Sequence, residues 1–105
     1  MTPEQMSAAE ELTGKALVPY SDRRDAHEVA CLTDDLVTCG KPMYEELAAA
    51  EQTPQVRHAR ADWSYFTEVG PMGTGDHANW TYARTLARIV QLMVRTLREH
   101  EPAPW

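Results

Sequence analysis

Apolar residues recur every three or four positions along nearly the whole chain, and no stretch of four or more residues alternates convincingly as a strand does. The nearest candidate, Trp63-Ser64-Tyr65-Phe66-Thr67, fits a helical stripe better. A chain with this single period has no sheet to build and must bury its stripes helix against helix. Two Thr-Pro steps punctuate the pattern. Threonine is a strong N-cap, and proline at the first helical position gives up an N–H that has no intrahelical partner there anyway. Thr2-Pro3 therefore opens a first helix over about 3–16, with Gln5 completing a capping box. Its apolar side is Met6, Ala9, Leu12 or Thr13, and Ala16–Leu17. Thr53-Pro54 opens a third helix, buried through Val56, Ala59, Trp63 and Phe66.

Between them, Pro19 marks a turn and a second helix is expected to start near Ser21 or Asp22. Val29, Leu32, Leu36, Cys39, Met43 and Leu47 supply its core stripe. Gly40-Lys41-Pro42 predicts a kink or a break, because proline clashes with the preceding turn and disfavours helix at the residue before it. The stripe keeps phase across that step, which favours a kinked continuous helix over two short ones. Gly70-Pro71-Met72-Gly73-Thr74-Gly75 is a loop. Thr74 or Asp76 is expected to cap the last helix, which runs to about His100 with Tyr82, Leu86, Ile89, Val90, Met93 and Leu97 inward. Residues 101–105 read as a frayed tail. Four amphipathic helices with short connections predict a single all-α domain over 1–105, an up-down-up-down four-helix bundle.

Composition narrows the function classes. With 105 residues, 43% hydrophobic and 25% charged, the chain can build one core without a metal or disulfide staple. A net charge of −6 argues against non-specific nucleic-acid binding and against an anionic membrane surface, both of which need positive charge. The most apolar run, Arg88 to Leu97, is interrupted by Gln91 and Arg95 and is too short to span a bilayer. Met1-Thr2-Pro3-Glu4 has neither a basic nor an apolar leader region, so a cytoplasmic location is expected. Cys31 and Cys39 are then free thiols; on one helix their Cα atoms would stand about 12 Å apart, beyond disulfide reach.

The clearest patterned feature is on the last helix. Arg84, Arg88, Gln91, Arg95 and Arg98 follow one another at steps of four, three, four and three, forming a ridge opposite the core stripe. Residues 1–52 hold eleven acidic and four basic residues, while residues 53–105 hold five and six, so the ridge lies in the less acidic half. Guanidinium groups can grip carboxylates through paired hydrogen bonds, which suits partner recognition. The plainer alternative is a solvated face making ordinary ion pairs with the acidic half.

Other constellations are weaker. His27 and Cys31, and His58 and Asp62, are pairs four apart that could present two metal ligands on one side of a helix; Asp35 lies four beyond Cys31. No HExxH, CxxC or repeated Glu-x-x-His accompanies them, so incidental roles are expected and no cofactor or metal is assigned. The glycine-rich loop lacks the Gly-Lys-Ser/Thr of a phosphate loop and follows no strand. No nucleophile has a recognisable base beside it, and His27, His58, His77 and His100 are scattered. Trp63, Trp80, Tyr65 and Tyr82 could line a pocket but suit a core as well.

Read in order, Leu32-Thr33-Asp34-Asp35-Leu36, a variable third helix, a glycine-containing loop and Tyr82-Ala83-Arg84-Thr85-Leu86-Ala87-Arg88-Ile89-Val90, with Leu97 and His100 beyond, make a recognisable sequence of segments. The chain resembles a family of small helical proteins of unknown function from Streptomyces and related actinobacteria, commonly labelled natural-product biosynthesis proteins. The resemblance spans roughly residues 5–100. It implies a biosynthetic or regulatory setting and carries no catalytic residue. The expectation is a non-enzymatic accessory protein that binds a protein partner, or pairs as a homodimer, through the last helix. The alternative is a bundle that binds a small molecule or metal, in a class that includes enzymes; a nucleic-acid partner ranks third.

Overall fold

The computed structural model describes residues 2–18 and 25–99. Four helices form there: α1 Pro3–Ala16, α2 Ala26–Ala49, α3 Pro54–Val69 and α4 Asp76–Glu99. There is no strand among the described residues, and the expected four-helix architecture is what results. None of these helices is long and apolar enough to cross a membrane.

The caps follow the sequence closely at two helices. Thr2 Oγ1 accepts from the Gln5 amide at 3.1 Å while Gln5 Oε1 accepts from the Thr2 amide at 2.9 Å, a reciprocal box that satisfies two otherwise orphaned donors. Thr53 Oγ1 accepts from the Val56 amide at 3.2 Å and Pro54 follows it. At α2 the cap is Asp25, whose carboxylate accepts from the Glu28 amide at 2.9 Å. The expected starts at Ser21 or Asp22, the turn at Pro19, His100 and the tail 101–105 lie outside the described residues. At α4 neither Thr74 nor Asp76 holds the flanking position. Gly75 does, with φ +97° and its carbonyl accepting from the Asn79 amide at 3.0 Å. That backbone conformation is open to glycine and strained for other residues. Asp76 falls inside the first turn, where its negative charge meets the positive end of the helix dipole.

Side-chain contacts between helices fix the topology. The start of α2 (Val29, Thr33) faces the start of α4 (Asn79, Tyr82) across a common cavity, and farther along Gly40 meets Met93, so α2 and α4 run parallel. Arg84 reaches the end of α1 and Arg98 its middle, so α1 runs against α4. Gln55 at the start of α3 donates to Glu99 at the end of α4, and Tyr82 reaches back to Phe66, so α3 also runs against α4. This is the up-down-up-down order. Its cross-section is a rhombus, because α2 and α4 pack directly along the short diagonal and α1 and α3 flank them on opposite sides. α2 and α4 each contact all three other helices, α4 the more extensively.

That position explains the burial of α4. Trp80, Ala83, Leu86, Ala87, Ile89, Val90, Met93, Val94, Thr96 and Leu97 are all buried, a wider set than one amphipathic stripe predicts. Thr96 tolerates this because its hydroxyl donates to the Leu92 carbonyl at 2.8 Å, and Thr13 in α1 does the same to Glu10 at 2.9 Å. α1 turns Ala9, Thr13 and Ala16 inward and α4 turns Ala83 and Ala87, small residues that let backbones come close. Thr13 rather than Leu12 is the fully buried member of that pair; Leu12, like Phe66 of α3, is half-buried.

α2 is one continuous helix through Pro42, as the unbroken phase of its stripe favours over two short ones. Pro42 and Thr38, whose carbonyl loses its usual donor four residues on, are both exposed, so water can serve that group. One expectation for α2 is corrected: Cys39 is half-buried beside the core, and Gly40 takes the inward position between Leu36 and Met43. A Cβ on Gly40 would overlap the six-membered ring of Trp63 and crowd Met93 Cε at 3.2 Å. The indole of α3 lies directly on the α2 backbone.

Candidate functional site

The arginine ridge is the strip of α4 that no other helix covers. From Leu86 onward, the exposed residues of α4 are Arg88, Gln91, Arg95, Arg98 and Glu99. Being next to the α1–α4 seam, the ridge is less independent of the bundle than its spacing suggests. Arg84, half-buried, donates from Nη1 to the carbonyl of Val18 at 2.5 Å, just past the end of α1. Arg98 forms an ion pair with Glu10 of α1. These two guanidiniums tie α4 to α1 at points some 14 residues apart on α4, about 21 Å along its axis.

Between the ties, Arg88 and Arg95 form no hydrogen bond or ion pair among the described residues. They are seven residues apart, so their side chains leave the same side of α4 about 10 Å from one another, with Gln91 between. Gln91, Arg95 and Arg98 line one wall of an open groove of about 520 Å³, with Glu10 and Thr13 of α1 on the other. The groove mixes both signs of charge. Such a surface can hold a segment carrying carboxylates through the arginines and polar donors through Glu10.

The remaining candidates are dispersed. His58 Nε2 stands 3.3 Å from Asp62 Oδ2 on the exposed side of α3, an i,i+4 ion pair when the imidazole is protonated. His27 Nε2 and Cys31 Sγ are 3.7 Å apart on exposed α2. Both pairs are therefore brought together, yet no group of three or more His, Cys, Asp or Glu side chains placed to hold a metal occurs among the described residues. Both thiols are free. Burial pushes the Cys39 thiol above its ordinary pKa, so it stays protonated over a wider pH range.

Of the aromatic residues, Trp63 and Trp80 are core and Tyr65 is exposed. Tyr82 is half-buried and donates to the Phe66 carbonyl at 2.8 Å; burial raises its pKa. With Phe66, Met72 and His77 it lines a largely apolar cavity of about 200 Å³ at the α3–α4 corner. The glycine-rich loop turns there through Gly70, Gly73 and Gly75, all at positive φ.

One polar cluster has no counterpart in the sequence reading. Arg60 donates to Gln52 Oε1 at 2.5 Å, and Gln52 Nε2 in turn donates to the carbonyls of Ala50 at 2.7 Å and Leu47 at 3.0 Å, closing the end of α2. The same guanidinium sits 5.6 Å from the Tyr44 ring centroid. The Ser64 hydroxyl donates to the Tyr44 oxygen at 3.2 Å. That bond first, and Arg60 second, lower the Tyr44 pKa. The one local hint was a glutamine just before the Thr53-Pro54 start. The cluster joins α2 to α3 and holds their turn.

No protein-family model, no curated protein and no solved structure matches this chain.

Proposed function

We propose that the protein is a non-enzymatic helical accessory protein that binds a partner protein along α4. The setting implied by the resemblance is a biosynthetic or regulatory pathway. One observation carries the reading. Arg88 and Arg95, without an ionic or hydrogen-bond partner among the described residues, project from a helix that three others hold in place, while the arginines before and after them are engaged in the fold. A guanidinium on a fixed backbone loses less freedom on binding than one on a mobile loop. The complementary partner presents two carboxylates about 10 Å apart, the spacing of acidic residues two turns apart on a helix.

Arg88→Glu with Arg95→Glu tests it. Both side chains are exposed, so the helical circular-dichroism spectrum stays as it is. The partner recovered with the parent protein should be lost from the double variant, and its binding to the parent should weaken as salt rises. Full retention of every partner by the variant would reduce the ridge to a solvated face.

A second reading draws support from the cavity walled by Phe66, Met72, His77 and Tyr82. At about 200 Å³ it lies below the usual size of a small-molecule pocket, so an occupant would be small and mostly apolar. Native mass spectrometry of the purified protein separates the two: a stoichiometric bound mass supports this reading and an unliganded mass rejects it.

A further inference from the structure

On the opposite side of α1 from the arginine ridge, the α1–α2 seam carries a different chemistry. His27 and Cys31 stand one helical turn apart on α2, both exposed, with Nε2 and Sγ 3.7 Å from each other. Zinc bonds sulfur at about 2.3 Å and imidazole nitrogen at about 2.0–2.1 Å; at a tetrahedral angle those two ligands are about 3.6 Å apart. The pair therefore already holds the bite of a tetrahedral chelate. It borders an open groove of about 310 Å³ into which Glu28 and Asp35 also face, with Lys15 of α1 as the one lysine or arginine lining it among the described residues. The surrounding half of the chain, residues 1–52, has a net charge of −7 and draws cations.

One chain supplies only two ligands, since no third His, Cys, Asp or Glu joins them among the described residues. Tetrahedral zinc takes four. We propose that His27 and Cys31 are half of a zinc site completed by the same pair from a second copy, giving a two-fold Cys₂His₂ centre that bridges a homodimer. A two-fold axis through the ion requires the same patch from each chain, as a symmetric pairing does. Each Cys31 thiol releases its proton to solvent on binding, so two thiolates balance the charge of one Zn²⁺ and no redox change occurs.

The test is a zinc titration of the reduced, chelator-treated protein, followed by size-exclusion chromatography with light scattering. The mass should double from 11.8 kDa as zinc reaches one ion per two chains. Cobalt(II) in place of zinc should give the absorption of a tetrahedral thiolate complex. Cys31→Ser and His27→Ala should each abolish both the doubling and the cobalt bands, with unchanged helicity, while Cys39→Ser keeps both. Zinc bound at one per chain without dimerisation, doubling that survives Cys31→Ser, or no binding at micromolar zinc would each overturn the proposal.

Discussion

At Gly40 a hydrogen is the largest side chain that fits, because the Trp63 ring occupies the space a methyl would take. Gly40→Ala gains intrinsic helix propensity of about 1 kcal/mol but overpacks the point where α2, α3 and α4 meet, at a cost of about 1–3 kcal/mol. Where the obstructing atoms belong to a rigid indole held on the far side by the core, the steric cost wins. Urea denaturation should show a lower midpoint for Gly40→Ala. The loss should shrink in a Trp63→Phe background, since residues in contact are not additive. No loss, or an equal loss in both backgrounds, would show that the ring moves aside freely. The sequence displays Gly40 only as part of a helix-breaking Gly-Lys-Pro step. Its inward-facing role depends on a tryptophan 23 positions away, which no local pattern encodes.

Among elements, α4 and its seam with α1 set the stability that the ridge depends on. Arg84 and Arg88 look alike in sequence, one turn apart, but differ in what they touch. Arg84→Ala removes a charge-assisted bond to the Val18 carbonyl and should cost about 1–2 kcal/mol. Arg88→Ala should stay within about 0.5 kcal/mol, and Arg98→Ala, which breaks an exposed pair with Glu10, should cost less than about 1 kcal/mol. Thermal melts of the three single variants check that ranking. α2 gives a second case. Pro42 is exposed inside a continuous helix, so Pro42→Ala restores a donor to the Thr38 carbonyl and should raise the urea midpoint. The helices themselves were legible because caps and periodicity are local: Thr2-Pro3 and Thr53-Pro54 open α1 and α3 where they should. The ridge was legible as a spacing. Its division into anchored and free arginines was not, because Val18 and Glu10 come to it only through the antiparallel packing of α1.

For the molecule as a whole, alkaline pH separates the tyrosines. Tyr82 and the Cys39 thiol have folded pKa values raised by burial. Above the ordinary thiol and phenol pKa values the unfolded chain gives up those protons first, so stability falls with rising pH until the folded groups ionise too. Tyr44 has the opposite sign. Ser64 and Arg60 lower its folded pKa, so it contributes stability that appears as pH rises through that value and is complete above the unfolded one. In ultraviolet titrations Tyr44→Phe should remove a phenolate transition below the ordinary phenol pKa and Tyr82→Phe one above it. Loss of the same transition in both would contradict the assignment.

The rhombic packing has a consequence for how the chain reaches this state. α4 packs against all three other helices, as α2 does, and it is the last of the four in chain order. While a ribosome has delivered only α1 to α3, the apolar faces of Ala9, Leu36 and Trp63 have no Leu86, Val90 or Met93 to meet. Domains generally fold as units once their parts are present. Here α4 emerges after the other three, so the bundle closes only once α4 is free, and removing the last two turns of α4 would take Met93, Val94 and Leu97 out of the core.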